Sequence, residues 1–275
     1  MRKDDGNDRA SEASAESSFS SYADPLVHEA LQQAAALEGS AEAEQLHKLR
    51  VALRQLRTLL WAYGPTLDKD FASQQRALLK FCANAAGSTR DWDIVIDLVG
   101  ESGGSALVDA FRRNRTEASE TSRETLSNAN LKKVLREAIA EVNRELNTQA
   151  SRTPLTQFAR HRVTAAEKQL KKRIRVAMKS GTSDYACFHE VRKAGKKVRY
   201  LIEFFDPLLA KKQRKGHKHL KRLQKRLGSL NDVVASRHLL KTHRATLPDS
   251  EAIDEALRSL KKEQKRRMKA ASALL

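Results

Sequence analysis

One arrangement of basic residues occurs twice in this chain, and each copy has the spacing of one face of an α-helix. Both copies consist of a histidine followed by three cations, with identical internal spacing: His47, Arg50, Arg54, Arg57 and His189, Arg192, Lys196, Arg199. At about 100° per residue, offsets of 0, 3, 7 and 10 fall within roughly 80° of one another on a helix. We call these two sets the basic strips, and we expect a chain that builds such a strip twice to bind a long polyanion.

Each strip helix also carries an apolar stripe away from its cations. The apolar positions are Leu46, Leu49, Leu53, Leu56, Leu59 and Leu60 in the first helix, and Phe188, Val191, Val198, Leu201, Ile202 and Phe205 in the second. A stripe of this width is typical of a helix that packs on a hydrophobic core. We therefore expect each helix to bury one side and to direct its cations outward or into a groove.

The rest of the chain also favours helix. It contains only 11 glycines and 5 prolines in 275 residues, and its Val, Ile and Thr residues form no alternating runs of the kind that strands show. The duplication continues beyond the strips, because Pro65 and Pro207 have the same separation as the two strips. Gly87 and Gly228 are each predicted to end a helix, and their separation is one residue shorter than that of Pro65 and Pro207. The predicted fold class is all-α, with two pseudo-symmetric helical bundles, produced by internal duplication, around a basic groove or pore.

The predicted organisation has three parts. Residues 1–22 contain almost no large apolar side chains and are predicted to be a disordered N-terminal tail. The first helix is predicted to begin at Asp24 and Pro25, which suit the N-cap and the first helical position. Residues 23–150 are the first predicted helical bundle repeat, and residues 151–275 are the second.

The charge of the chain restricts the choice of partner. The formal net charge is +18 at pH 7 and the sequence pI is about 10.1, which favours nucleic acid, an anionic membrane surface or another polyanion. The two cysteines, Cys82 and Cys187, form no CxxC motif. No apolar run approaches the ~20 residues of a membrane span. We expect a cytoplasmic protein without a disulfide framework and without a membrane partner.

Four segments of this chain resemble parts of a known family. Two segments of the chain, HKLRVALRQLRTLL and FHEVRKAGKKVRYLIEFF, resemble the two signature helices of the CHAD family. CHAD stands for the conserved histidine α-helical domain. The two glycine–aspartate segments of that family resemble GSTRDWDIV and LQKRLGSLNDVV. The resemblance extends over about residues 24–270 and implies that residues 23–270 together form one CHAD domain.

The resemblance implies a ligand and a set of binding residues. The ligand is inorganic polyphosphate, and the protein would associate with polyphosphate granules. Carried over position by position, the binding residues are those of both basic strips, with Lys193 and Lys197 beside the second strip. Lys218 and Arg222 are added because the basic helix that follows is expected to pack against that strip. The triphosphate-tunnel catalytic domain that sometimes accompanies this family has no counterpart in the sequence, so we expect no enzymatic role.

One residue departs from the family pattern. Gly195 interrupts the second signature helix where a larger residue would be ordinary. Glycine costs about 1 kcal/mol of helix propensity relative to alanine. A glycine at this position would allow another helix to pack closely.

Two other functions remain open from the sequence. Binding of RNA or DNA suits the charge equally well, but single strands are usually held partly by aromatic stacking, and aromatic residues make up only 5% of the chain. Metal-assisted phosphohydrolysis would need carboxylates, for which the candidates are Asp91, Asp93, Asp97 and Asp232. A carboxylate just past a helix break also stabilises the next helix N-terminus or pairs with a strip arginine. The histidine pairs lack the i, i+4 spacing of a helical metal site, so we predict no metal and no cofactor. The oligomeric state stays open.

Overall fold

A computed structural model describes residues 13–37, 43–100, 104–181 and 184–275. Over these ranges the protein consists of α-helices joined by short connections, which confirms the all-α fold class. The helices, in chain order, are α1 (Ala15–Ala36), α2 (Ala43–Tyr63), α3 (Lys69–Ala85), α4 (Ser88–Val99), α5 (Gly104–Asn128), α6 (Leu131–Thr148), α7 (Leu155–Ser180), α8 (Tyr185–Phe205), α9 (Lys211–Lys215), α10 (His217–Thr242) and α11 (Ser250–Ser272). Short 3₁₀ turns follow α2 at Gly64–Thr66 and α8 at Asp206–Leu208.

The two strip helices, α2 and α8, correspond in their boundaries. Helix α8 begins and ends as many residues after the start and end of α2 as His189 lies after His47. The same separation relates the two 3₁₀ turns that follow these helices. The start of α9 follows the start of α3 at the same separation. The correspondence weakens beyond this point, because α3 and α4 are separate helices whereas α10 is continuous. The duplication as a whole remains an inference from these boundaries and from the sequence.

The predicted helix end at Gly228 is wrong. Gly228 lies inside α10, and the leucines on either side, Leu227 and Leu230, are buried. A glycine inside a helix costs about 1 kcal/mol relative to alanine, whereas burial of each leucine contributes roughly 1.5–3 kcal/mol. Packing therefore outweighs the local preference. At Gly87 the predicted break does occur, since Gly87 is the N-cap of α4.

The predicted tail is wrong in its last part, because α1 begins at Ala15 and not at Asp24. The side chain of Ser14 caps this helix by accepting a hydrogen bond of 3.1 Å from the backbone N–H of Ser17. Pro25 lies in the helix interior instead of at its first position. The remainder of the predicted tail, residues 1–12, lies outside the described residues.

Tertiary contacts explain why α1 begins so early. Phe19 is fully buried, and its ring centroid lies 5.0 Å from that of Tyr63. The Tyr63 hydroxyl donates a hydrogen bond of 2.9 Å to the carbonyl of Ala15. The Glu16 carboxylate accepts one of 2.9 Å from the backbone N–H of Thr153. These partners are remote in sequence, so the local composition of the segment did not reveal them.

The hydrophobic core crosses the predicted boundary near residue 150. The largest apolar cluster joins α1, α2 and α3 to α6, α7 and α8. A second cluster joins α4 and α5 to α10 and α11, with Trp92 and Phe111 packed together with Leu240 and Ile253. The segments predicted as two repeats thus share their cores, and this packing brings α2, α3, α4, α7, α8 and α10 around one space.

The described part of the chain contains no helix that is both long enough and apolar enough to cross a membrane. Both cysteines are free thiols. Cys82 is buried, and Cys187 is partly exposed.

Candidate polyanion-binding site

Two cavities are lined by residues of both α2 and α8. The wide cavity has a volume of about 780 Å³, and the narrow cavity about 410 Å³. Arg54 of α2 and Lys196 and Tyr200 of α8 line both cavities. The two cavities therefore adjoin at these three residues, which we call the waist, and together we call them the groove.

Cations from four helices surround the wide cavity. Helices α2, α3, α7 and α8 all contribute, and the residues beyond the waist are Arg57, Arg76, Lys80, Lys172, Arg173, Lys193 and Lys197. One acid, Glu190, is among the lining residues and pairs with Lys193 and with Arg173, the latter at 3.7 Å. The wide cavity is thus strongly cationic even after its own ion pairs are counted.

The narrow cavity mixes cations with acids and amides. Its cations beyond the waist are Arg50, Arg90, Arg192, Arg199, Lys221 and Lys225. His47 also lines it and is a further cation when it is protonated. Asp91 and Asp232 also line it, with the neutral side chains of Gln224 and Asn231. The two carboxylates lie on helices that contact each other, α4 and α10.

Most of the predicted binding residues meet in this groove. The wide or narrow cavity is lined by His47, Arg50, Arg54, Arg57, Arg192, Lys193, Lys196, Lys197 and Arg199. His189 does not line either cavity, and its Nδ1 atom lies 3.3 Å from the hydroxyl of Tyr185. The strips therefore do not contribute symmetrically, because the second histidine is directed to a neighbouring tyrosine.

The two residues of α10 predicted to bind lie outside both cavities. Lys218 and Arg222 are exposed and line neither cavity. The face of α10 that borders the groove instead carries Lys221, Gln224 and Lys225. The spacing of Lys218, Lys221, Arg222 and Lys225 puts these four cations on one broad face of the helix. Only the packing of α10 against α8 selects among them.

Sequence reasoning missed the contributions of α3 and α4. Arg76 and Lys80 of α3 line the wide cavity, and Arg90 of α4 lines the narrow one. Arg76 and Lys80 stand outside any repeated pattern. Arg90 lies inside the segment GSTRDWDIV, but the matching position of the second half is Asn231, so the duplication gave no signal for a cation there. Lys172 and Arg173 lie in the basic run at residues 168–175, and such a run by itself does not distinguish a binding surface from a solvated one.

Burial and mutual repulsion lower the pKa values of three cations of the groove. Burial, with nearby Arg54 and Arg192, lowers the pKa of Lys196 to about 6. Burial likewise lowers the pKa of Arg54 to about 10. Burial and Arg162 lower the pKa of Lys197 to about 8. An anion in the groove would oppose these effects, because a nearby negative charge favours the protonated form of each group.

The two strip histidines are affected in the same direction. Burial, followed by the charge of Arg90, lowers the pKa of His47 below its ordinary value. Burial, followed by the charge of Lys193, lowers the pKa of His189. Both imidazoles are therefore more readily neutral than a free histidine near pH 6.5.

The two cations of the waist have no acidic partner. Among the described residues, no ion pair joins Arg54 or Lys196 to a carboxylate within 4.0 Å. Arg192 makes no such pair either, but the charge of Asp232 favours its protonated form. Arg50 is paired at longer range, since its Nη1 atom lies 3.9 Å from Asp91 and donates a hydrogen bond of 3.3 Å to the carbonyl of Gly87. The positive charge at the waist is thus left without compensation from within the described chain.

Two aromatic rings help to hold the cations in place. The Nζ atom of Lys197 lies 4.0 Å from the ring centroid of Trp61, and the guanidinium of Arg162 lies 4.3 Å from it. The guanidinium of Arg199 lies 4.8 Å from the ring centroid of Tyr200. Cation–π contacts of this kind contribute roughly 0.5–1 kcal/mol at exposed sites and more where water is excluded.

Within the described ranges, no group of three or more His, Cys, Asp or Glu side chains is arranged to hold a metal ion. Asp91 and Asp232 are the nearest approach to an acidic pair in the groove, and burial raises the pKa of Asp91, with Asp232 adding to the effect.

The fold and the groove define an all-helical protein with a cationic cavity between two basic helices. Residues 22–241 match the CHAD domain family, and the chain belongs to that family. The family resemblance expected from the sequence is thereby confirmed at the level of the domain.

Two solved structures are similar in fold. The crystal structure of the CHAD domain from the plant Ricinus communis has a TM-score of 0.83 and 22% sequence identity, and the match covers 96% of this chain and 92% of that chain. PptA from Streptomyces chartreusis has a TM-score of 0.66 and 18% identity, with 95% and 98% of the two chains covered. The comparison with curated protein sequences found no match.

Proposed function

We propose that this protein binds inorganic polyphosphate in the groove, without catalysing a reaction on it. The observation that carries the proposal is the waist, where Arg54 from one basic strip and Lys196 from the other line both cavities. Neither has an acidic partner among the described residues, so a ligand of opposite charge would supply the missing compensation. Family membership and the charge of +18 support the same conclusion.

The shape of the charged surface favours a linear chain of phosphates over a single small anion. Four groups over three helical turns span roughly 15 Å along the first strip. The three cations of the second strip that line the groove, Arg192, Lys196 and Arg199, span roughly 10 Å. Arginine can donate two parallel hydrogen bonds to one phosphate, and lysine acts as a point charge. Because cations line both cavities and the waist between them, a chain that occupies both would contact more donors than a short anion could.

The aromatic side chains of the groove support polyphosphate over nucleic acid. Trp61 already contacts Lys197 and Arg162, and Tyr200 contacts Arg199. Base stacking would have to displace these cations. Polyphosphate needs no stacking surface, and its phosphates can engage the same cations directly.

The proposal is tested by binding isotherms with polyphosphates of increasing length at two salt concentrations, next to an RNA of equal charge. We expect affinity to rise with length until the groove is filled, and to fall steeply with salt because bound counterions are released. Incubation with polyphosphate and Mg²⁺ should release no phosphate. Equal or tighter binding of the RNA would contradict the proposal, and phosphate release would contradict its non-catalytic part.

We also propose that the protein is cytoplasmic and associates with polyphosphate granules. A surface of this charge would be attracted to any exposed polyphosphate. A fluorescent fusion should colocalise with granules stained for polyphosphate, and a fusion with Arg54→Ala and Arg192→Ala should not. Retention of the double variant on granules would show that the groove is not the means of attachment.

A further inference from the structure

The side chain of Gln224 is buried at the edge of the groove without using its hydrogen-bonding capacity. Gln224 is only 9% exposed and lines the narrow cavity. Neither its Nε2 nor its Oε1 atom has a hydrogen-bond partner among the described residues. A buried amide left in this state is costly, and most buried polar groups do have partners.

Gly195 of α8 makes room for this amide. A Cβ atom at position 195 would lie 3.2 Å from Cδ of Gln224 and would overlap its Nε2 atom. It would also lie 3.4 Å from Cδ1 of Leu220. Any side chain larger than hydrogen would therefore displace the amide from its position. This close approach of α10 accounts for the glycine that interrupts the second strip helix.

The corresponding positions of the first half are occupied by apolar residues. Leu53 precedes Gly195 by the separation of the two basic strips, and Ala83 precedes Gln224 by the separation of Gly87 and Gly228. Leu53 and Ala83 are both buried. The first half therefore has two buried apolar residues at these positions, whereas the second half has a glycine and an amide.

Other polar atoms that line the same cavity also lack hydrogen-bond partners. The Nδ1 atom of His47 and the Nε atom of Arg192 are shielded from solvent and have none among the described residues. A phosphate chain would reach these atoms, like the amide, only if their side chains turned toward the cavity. The Nε atom of Arg192 is a donor, and Nδ1 of His47 is a donor when it carries a proton.

We propose that Gln224 is a binding residue of the groove, that its amide turns toward the narrow cavity to donate a hydrogen bond to a phosphoryl oxygen, and that residue 195 is glycine to admit it. This inference rests on the proposed binding of polyphosphate. The contact is neutral, so it differs from those of the lysines and arginines in one measurable way. It contributes to affinity without releasing a counterion, and its loss leaves the salt dependence unchanged.

The first test compares Gln224→Leu with Lys225→Leu, a change of the adjacent cation that lines the same cavity. Gln224→Leu should weaken polyphosphate binding about tenfold, with an unchanged slope of log affinity against log salt. Lys225→Leu should weaken binding and reduce that slope by about one phosphate contact. Binding is measured by fluorescence anisotropy of an end-labelled polyphosphate at five salt concentrations.

Thermal unfolding without ligand separates a binding role from a structural one. Replacing an unpaired buried amide by an apolar group of similar shape is nearly neutral or stabilising. The melting temperature of Gln224→Leu should therefore be unchanged or higher while affinity falls. If Gln224→Leu does not fold, Gln224→Met is measured in its place. A variant that loses affinity only in step with its melting temperature overturns the inference.

A double-mutant cycle tests the role of Gly195. Gly195→Ala should change affinity when Gln224 is present, because the new methyl group displaces the amide. The same substitution in a Gln224→Ala background should have no effect on affinity, since there is no amide left to displace. Equal effects in both backgrounds overturn the assignment of Gly195.

The outcomes also distinguish this inference from the proposed function. If the unaltered protein does not bind polyphosphate, the proposed function is wrong and this inference falls with it. If the unaltered protein binds and Gln224→Leu binds equally well, only this inference is wrong.

Discussion

Binding of polyphosphate should take up about one proton, chiefly at Lys196. In the free protein, burial and the arginines Arg54, Arg192, Arg199 and Arg50 lower the pKa of this lysine to about 6. A phosphate chain at the waist adds negative charge beside the same ammonium group and raises its pKa again. The complex therefore holds more protons than the free protein at any pH between the pKa of Lys196 in the free protein and its higher pKa in the complex.

The size of the effect follows from the two pKa values. At pH 7.5 a group with a pKa of about 6 is roughly 3% protonated, so nearly a full proton is taken up if the ligand restores the ordinary value near 10.4. Lys197, with a pKa of about 8, adds roughly a quarter of a proton at that pH. Affinity is then highest below pH 6 and falls as pH rises. For Lys196 alone the upper limit is about 50-fold between pH 6 and pH 8.

The assay is isothermal titration calorimetry at pH 7.5 in buffers of different ionisation enthalpy, because the slope of observed enthalpy against buffer enthalpy counts protons. The matched control is Lys196→Arg, which puts at this position the residue that the first strip has at Arg54. An arginine remains charged in both states, so proton uptake should fall to the fraction that Lys197 contributes. Affinities that do not vary between pH 6 and pH 8, or proton uptake that persists in Lys196→Arg, would refute the reasoning.

Three further predictions concern other parts of the structure. The double change Arg50→Ala and Arg192→Ala should weaken polyphosphate binding about 100-fold or more, since each arginine can donate charge-assisted hydrogen bonds. Helical circular dichroism should stay unchanged, and a matching loss of helicity would mean that the two residues are structural. Lys221→Ala should weaken binding and lower the slope of log affinity against log salt by about one, whereas Lys218→Ala should have no effect on either. Anisotropy titrations check this, and an equal effect of the two substitutions would place Lys218 at the ligand. Phe19→Ala should reduce the free energy of unfolding by about 3–5 kcal/mol in urea titrations, whereas a change below about 1 kcal/mol would show that the start of α1 is not part of the core.

Local patterns were sufficient to predict the helical class, the two strip helices and nine of the residues that line the groove. The basic strips and their apolar stripes repeat with the period of a helix, and this period is a property of the backbone that neighbours in space do not alter. For the same reason the patterns predict strip helices over about 41–62 and 184–205, within a few residues of the observed α2 and α8. Gly195 was visible as an interruption, but its partner was not.

Tertiary packing decided the features that no local pattern encodes. The start of α1 depends on Tyr63 and Thr153, which are remote in sequence from Phe19 and Glu16. The continuity of α10 through Gly228 depends on burial of its neighbours, and the choice of Lys221 over Lys218 depends on how that helix lies against α8.

The electrostatic character of the groove has the same origin. The sequence determined how many cations each helix presents and on which face. It could not determine that Arg54 and Lys196 would share a waist, because the distance between two helices is set by the side chains packed between them. That distance, and the exclusion of water that accompanies it, lower the pKa of Lys196 to about 6, whereas the same lysine on an open surface would keep its ordinary basicity.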